Sequence, residues 1–239
     1  MARSFEQYST GAVLGRDAAV VSAFMRRVYN WMAAGLALSG LLAWFTMNSP
    51  ALLGQFITPE GPTMLFWIAI IGELGLVLGV SAGIRRLSVG TAIALFLAYS
   101  ALNGLTLGIV LLAYTGASVA KTFLITAGTF AAVSLWATTT KRDLSGAGSF
   151  LMMGLIGIII ASVVNLFLRS PMMDWIVSLI GVGLFVGLTA YDTQRLRAMV
   201  LEAANEVTVS KMAVLGALTL YLDFINLFLF LLRFLGDRR

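Results

Sequence analysis

Residues 219–233 read TLYLDFINLFLFLLR, an apolar run that is interrupted by Asp223 and Asn226 and ends at Arg233. Apolar stretches of about 20 residues predict membrane-spanning helices. Asp223 lies roughly 17 Å into such a helix, counted from the start of the apolar stretch at a rise of 1.5 Å per residue. An aspartate at the centre of a span costs about 2.5–3.5 kcal/mol. Because the three polar residues share one helix face, we expect that face to point into a helix bundle or a wet cavity.

The composition supports a membrane protein. The chain has 239 residues, of which 59% are hydrophobic and 11% are charged, whereas a soluble domain carries about 25% charged residues. It contains no cysteine and no histidine, which excludes thiolate ligands and removes the usual group that titrates near neutral pH. The net charge of +5 is attributed to basic residues that set the orientation in the membrane and contact lipid head groups, because these residues flank apolar segments. It is not taken as a sign of nucleic-acid binding.

Seven apolar stretches are long enough to span a bilayer, and the connections between them are short. The fold class predicted is therefore an all-α membrane protein with seven transmembrane helices. Residues 1–27 are expected to form a polar cytoplasmic N-terminal tail without a cleavable signal peptide, and residues 28–239 a single seven-helix transmembrane domain. The predicted spans are residues 28–47, 64–84, 88–112, 119–139, 149–168, 174–194 and 212–235.

The distribution of lysine and arginine predicts a cytoplasmic N-terminus. With that orientation, 11 basic residues lie on the cytoplasmic side and 5 on the other. Three of those five, Arg233, Arg238 and Arg239, belong to the C-terminal region. The last helix either spans the membrane or is re-entrant, and the length of residues 212–235 favours spanning.

Glycines recur every four residues at several places in the predicted helices, a spacing that lets helix backbones approach closely. These glycines are Gly75, Gly79 and Gly83, then Gly104 and Gly108, and finally Gly183 and Gly187.

Apart from Asp174, which stands at the end of a predicted span, three acidic residues lie within the predicted spans, namely Glu73, Asp192 and Asp223. Ionisable groups inside a span are candidates for function, and the alternative for each is a polar contact that only holds helices together. For Asp192 that alternative is a charge near the helix end that pairs with Arg195. Arg85 and Arg86 end the second predicted helix, where a topology anchor is the simpler interpretation.

Catalytic motifs are not found in the sequence. It has no P-loop, no HExxH motif and no GxSxG nucleophile elbow. Tyr191–Asp192 matches the YD half of an intramembrane aspartyl protease site, but the GxGD half is missing. We expect a protein that is not an enzyme.

Two segments resemble the Bax inhibitor family, also called the transmembrane Bax inhibitor motif family, and within it the bacterial inner-membrane members. They are GLTAYDTQ at residues 187–194 and LGALTLYLDFINLFLFLLRFLG at residues 215–236. The tracts ALNGLTLG at residues 101–108 and TTKRDLSG at residues 139–146 extend the resemblance over nearly the whole chain. The resemblance implies that the last helix is central and surrounded by the other six.

The resemblance also implies a pH-dependent calcium leak, in which two aspartates form a hydrogen-bonded pair that senses protons. The matching residues are Asp192 and Asp223, which would bind Ca²⁺ weakly and transiently. Arg85 or Arg86 would act as a latch on the first aspartate. Glu73 matches an acidic residue of the second helix and, with Asn226, is a candidate for the ion pathway.

No tightly bound cofactor is expected, and the expected partners are the lipid bilayer, Ca²⁺ and protons. Two other functions remain open from the sequence. One is a non-transporting regulator that binds the ATP-dependent membrane protease FtsH, as some bacterial relatives do. The other is a coupled cation/proton exchanger.

Overall fold

The computed structural model describes the backbone of residues 2–203 and 205–239 and the side chains of residues 18–203 and 205–239. Eight α-helices and one short hairpin of two strands make up this part of the chain. The strands are β1 (Ile57–Thr58) and β2 (Gly61–Pro62), which pair antiparallel. The helices are α1 (Ala2–Met47), α2 (Pro50–Phe56), α3 (Met64–Gly83), α4 (Val89–Leu111), α5 (Gly116–Thr139), α6 (Gly148–Leu168), α7 (Pro171–Leu201) and α8 (Glu206–Leu235).

Seven helices in the described part of the chain are long and apolar enough to cross a membrane, namely α1 from Ala18 onwards and α3 to α8. The predicted fold class, an all-α membrane protein with seven spans, is confirmed. The last helix, α8, is continuous over 30 residues, which corresponds to about 45 Å. It therefore spans and does not turn back, as the length of its apolar stretch predicted.

Short polar residues set where several of these helices begin. Each lies just before the first turn, and its side-chain oxygen accepts a hydrogen bond from a backbone N–H that has no partner inside the helix. In α8, for example, Asn205 Oδ1 accepts from the N–H of Thr208 at 2.8 Å. The corresponding residues of α4, α5 and α7 are Ser88, Thr115 and Ser170.

The last helix is the most buried span. Of the residues in its most apolar stretch, 67% are buried, against 11–44% in the other spans of the described chain. It packs against α1, α3, α4, α5 and α7, while α6 packs mainly on α7. That all six other spans surround α8 stays a prediction.

The glycine spacing predicted close helix contacts correctly in one place and wrongly in another. A Cβ atom on Gly104 would lie 2.6 Å from the carbonyl oxygen of Ser39, and one on Gly108 would lie 2.8 Å from that of Ala43. Helices α1 and α4 therefore meet backbone to backbone. Gly75 and Gly79 have open space at their Cβ positions, so the glycine repeat of α3 does not pack against a neighbouring helix.

The bundle has two ends. The α7–α8 end carries the connection between α7 and α8, and the C-terminal end carries residues 236–239. At the α7–α8 end, Arg27 of α1 forms an ion pair with Glu206, the first residue of α8. At the C-terminal end, the chain after α8 lies along the α4–α5 connection, where the N–H of Arg239 donates to Ala113 O at 2.9 Å. The N–H of Asp237 donates to Ser118 Oγ there at 2.9 Å, so both ends of α8 are tied to other spans.

The predicted N-terminal tail, residues 1–27, falls largely on residues 1–17, whose side chains lie outside the described part of the chain. Residues 18–27 belong to α1. Phe24 and Met25 lie in the main hydrophobic core, so the packed part of the bundle begins before residue 28.

Candidate functional site

Asp192 of α7 and Asp223 of α8 lie on two helices that pack against each other. Both side chains are buried, at 8% and 5% exposure. The two helices are consecutive and are joined by a short loop. Both residues were candidates from the sequence, and their pairing through a shared proton stays a prediction.

One carboxyl oxygen of this pair lacks a donor. No hydrogen-bond donor of the described residues reaches Oδ2 of Asp223, and the atom is buried. A buried polar atom without a partner costs about 1–3 kcal/mol, and more when it is charged. A proton or a cation between the two carboxyl groups would remove that penalty.

Arg195 stands three residues after Asp192 on α7, about one helical turn away. Arg85 and Arg86 follow the end of α3, and both are exposed. In the described part of the chain, neither of these two arginines forms an ion pair, and no basic side chain lies within ion-pair distance of Asp192 or Asp223. The arginine latch stays a prediction.

Glu73 lies in a different polar cluster, between α3 and α4. Thr106 Oγ1 donates to Glu73 Oε1 at 2.5 Å, and Asn103 Nδ2 donates to Glu73 Oε2 at 3.1 Å. Each carboxyl oxygen of this intramembrane glutamate therefore has a donor, which Asp223 lacks at Oδ2.

The cluster continues from α4 through α8 to α1. The hydroxyl of Tyr221 donates to Asn103 Oδ1 at 2.8 Å, and the same hydroxyl lies 2.6 Å from Ser39 Oγ. Ser39 Oγ also lies 2.6 Å from the backbone oxygen of Ser100, so its single proton can go to that oxygen or to the tyrosine hydroxyl. Four spans are thus linked by one chain of hydrogen bonds, and we call Ser39, Glu73, Asn103, Thr106 and Tyr221 the Glu73 cluster.

Reasoning from the sequence missed four members of the Glu73 cluster. Asn103 and Thr106 stand three residues apart in the ALNGLTLG tract, so they lie on one face of α4. An amide and a hydroxyl on one face of an apolar helix are the signal that could have nominated them as partners of an intramembrane acid. Tyr221 and Ser39 carry no such signal.

Asn226 lines two cavities. One, of about 350 Å³ between α3, α4 and α8, also contains Glu73 and Asn103. The other, of about 400 Å³ between α6, α7 and α8, contains Asp174 and Arg233. On the face shared by Asp223, Asn226 and Arg233, Asp223 is buried and Asn226 is half-buried, as expected, whereas Arg233 is exposed.

Gln194 of the GLTAYDTQ segment anchors a loop. Its amide donates to Arg142 O at 2.9 Å, and its Oε1 accepts from the N–H of Leu144 at 3.1 Å. Gly148, where α6 begins, lies against Tyr191, because a Cβ there would be 2.5 Å from the tyrosine hydroxyl. The residues on either side of Asp192 thus fix the α5–α6 connection against α7.

No group of three or more acidic side chains is placed to hold a metal ion in the part of the chain whose side chains are described. Seven spans that hold two buried aspartates and a separate half-buried glutamate define a multi-pass membrane protein with ionisable groups inside the bundle.

Comparison with known proteins identifies the family. Its sequence model, described as Inhibitor of apoptosis-promoting Bax1, matches residues 21–239. The inner membrane protein YbhL of Escherichia coli strain K12 is 51% identical over 219 residues, which cover 90% of this chain and 92% of that protein. The protein RP147 of Rickettsia prowazekii is 45% identical over 217 residues, which cover 90% of each chain. A membrane protein of Streptococcus pyogenes is 39% identical over 213 residues, which cover 89% of this chain and 92% of that protein.

The chain belongs to the Bax inhibitor family and is an inner membrane protein that crosses the bilayer several times.

Proposed function

We propose that this protein is a pH-sensitive leak pathway for Ca²⁺ across the inner membrane, in which Asp192 and Asp223 share a proton. The observation that supports the proposal is the burial of two carboxyl groups on helices that pack against each other, with one oxygen, Oδ2 of Asp223, that has no donor among the described residues. No catalytic step and no tightly bound cofactor is part of the proposal.

The physical reason is electrostatic. Two carboxylates in contact at a site of low dielectric constant repel each other and are poorly solvated, so they do not both ionise cheaply. One proton held between them relieves both penalties, and its loss at higher pH restores the repulsion. The repulsion is relieved again when α8 moves away from α7 or when a cation takes the place of the proton.

Calcium fits this site as a transient ligand. It prefers six to eight oxygen ligands, and the pair offers up to four. The remaining ligands would be carbonyl oxygens or water, so the ion would bind weakly, as conduction requires. Glu73 and Asn226, which line one cavity, are the candidate next positions along the pathway.

The predicted arginine latch would be a cation that competes with the shared proton for Asp192. A guanidinium beside Asp192 would favour its ionised form and so oppose proton sharing. Arg85 or Arg86 would have to approach from the end of α3, whereas Arg195 stands about one helical turn after Asp192 on α7. Comparison of Arg85→Gln, Arg86→Gln and Arg195→Gln in a flux assay identifies which cation sets the pH response.

The test is Ca²⁺ flux into proteoliposomes at several pH values. Asp192→Asn and Asp223→Asn are each expected to change both the flux and its dependence on pH. Asp143→Asn is the matched control, because it makes the same chemical change on an exposed loop. Flux that responds to pH in both variants as in the unchanged protein contradicts the proposal.

Two other results would assign one of the remaining functions. A proton current in fixed ratio to Ca²⁺ would identify an exchanger. Absence of flux together with co-purification of FtsH from native membranes would identify a regulator of that protease.

A further inference from the structure

A cavity of about 510 Å³ lies at the α7–α8 end, between the end of α3 and helices α7 and α8. Two cationic side chains, Arg85 and Lys211, line it together with the hydroxyl residues Ser81 and Thr208. No acidic residue lines it within the described part of the chain. The cavity thus carries two positive charges, two hydroxyl groups and no compensating carboxylate.

The two cations come from different elements, Arg85 from the segment after α3 and Lys211 from α8. Lys211 Nζ donates to the backbone oxygen of Arg85 at 3.2 Å, which brings the ammonium group of α8 to the end of α3. In the described residues neither side chain forms an ion pair. Three other arginines are paired, Arg27 with Glu206 and both Arg233 and Arg238 with Asp174.

The rest of the wall is apolar. Met199, Met212 and two further aliphatic side chains complete the lining, and Ser81 of α3 and Arg85, just after α3, are exposed. The cavity is therefore open on the side of a peripheral span, where lipid lies. A phosphate bound between the two cations would have its attached glycerol and acyl carbons against the methionines.

We propose that this cavity binds the phosphodiester of an anionic phospholipid. Basic pockets between transmembrane helices on the cytoplasmic side accommodate such head groups, and the positive-inside distribution of this chain predicts that the α7–α8 end is cytoplasmic. Arg85 supplies a planar fork of donors for phosphate oxygens, and Lys211 supplies a point charge. The hydroxyls of Ser81 and Thr208 are further donors within the same cavity.

The binding itself is independent of the proposed calcium pathway. A consequence that does rest on that function concerns Arg85, because the same guanidinium is a candidate latch for Asp192. A lipid phosphate that holds Arg85 at the end of α3 would compete with the latch.

The experiment is lipid binding to the purified full-length protein, measured by native mass spectrometry with phosphatidylglycerol and phosphatidylcholine of matched acyl chains. Phosphatidylglycerol is expected to bind more tightly. Lys211→Gln and Arg85→Gln should each weaken its binding about fivefold, and the double variant roughly thirtyfold, the size of effect that one or two charges have at an anionic surface. Lys211→Arg, which keeps the charge, should retain binding and shows that the position tolerates substitution.

The matched controls are Lys141→Gln and Arg26→Gln. They remove the same charges at the same predicted membrane side, on exposed residues outside the cavity, and phosphatidylglycerol binding should stay within about twofold. An equal loss of binding in the controls, or equal binding of the two lipids to the unchanged protein, overturns the proposal. Displacement of phosphatidylglycerol by inorganic phosphate alone overturns the lipid assignment and identifies a site for a free anion.

Discussion

Tyr221 is the residue through which α8 joins the Glu73 cluster, so its hydroxyl is the sharpest point at which to test that network. Replacement by phenylalanine removes the contact of 2.6 Å to Ser39 Oγ and the hydrogen bond of 2.8 Å to Asn103 Oδ1. The ring stays, and with it the edge-to-face contacts to Phe96 and Tyr99. No cavity larger than one oxygen atom is created.

The size of the effect follows from the number of hydrogen bonds lost. Hydrogen bonds between transmembrane helices contribute about 0.6 kcal/mol on average and about 1.7 kcal/mol at most. Two of them give a loss of about 1 kcal/mol, and about 3 kcal/mol at the upper limit. The upper part of the range is expected, because Asn103 Oδ1 is left without its donor in a buried site.

The assay is unfolding of the purified protein by sodium dodecyl sulfate in mixed micelles. Tyr99→Phe is the matched control, since Tyr99 is also buried and contacts the same ring but forms no hydrogen bond through its hydroxyl with a described residue. A double-mutant cycle of Tyr221→Phe with Ser39→Ala should give a coupling free energy of about 0.6–1.7 kcal/mol. Equal destabilisation by the two Tyr→Phe changes, or no coupling in the cycle, would refute the network.

Three further perturbations test other parts of the structure. Gly104→Ala should destabilise the folded protein by about 1–3 kcal/mol because it forces α1 and α4 apart. Gly128→Ala, with open space at its Cβ position, should instead stabilise it by up to about 1 kcal/mol, and unfolding titrations of the two variants test the difference. The N–H of Ser145 donates to Asp143 at 2.8 Å and lowers the pKa of that exposed carboxyl group. The hydrogen bond therefore stabilises the turn at pH values above the ordinary carboxyl pKa, and this stabilisation is lost as the pH falls through the lowered pKa; a titration of the Ser145 amide chemical shift follows the loss. Asp174→Asn removes the shared acceptor of two arginines at the C-terminal end and should speed hydrogen exchange in the last four residues, with at most about 1 kcal/mol of global effect.

Hydrophobicity predicted the number of spans but not the full length of the helices. The spans predicted at residues 174–194 and 212–235 are the inner parts of α7, which ends at Leu201, and of α8, which begins at Glu206. Apolar residues mark the length of helix in contact with lipid, whereas backbone hydrogen bonding continues into polar residues beyond it. The Arg27–Glu206 ion pair shows the result, because it joins extensions of two spans that the apolar pattern does not include.

The sequence identified those residues of the candidate site whose types are rare inside a membrane, and it did not identify those whose types are common there. Asp192 and Asp223 stand out because an acid within a span needs an explanation, and their two helices are consecutive and pack together. Asn103 is harder to identify as a site residue, because which residue it contacts depends on how α4 is rotated about its axis. The same limit explains why the spacing of Gly104 marked a helix contact and that of Gly75 did not.

The rotation of α8 also connects its two polar sites. Tyr221 and Asp223 are two residues apart, so at 100° per residue they project about 160° from each other, towards α1 and α4 on one side and α7 on the other. Any displacement of α8 that separates Asp223 from Asp192 must carry Tyr221 with it and strain its contacts with Ser39 and Asn103. Because Asn103 is also a donor to Glu73, the two acidic sites are coupled through the position of one rigid helix, without any direct contact between them. Under the proposed function, Tyr221→Phe should therefore alter the pH dependence of the flux although it removes no titratable acid.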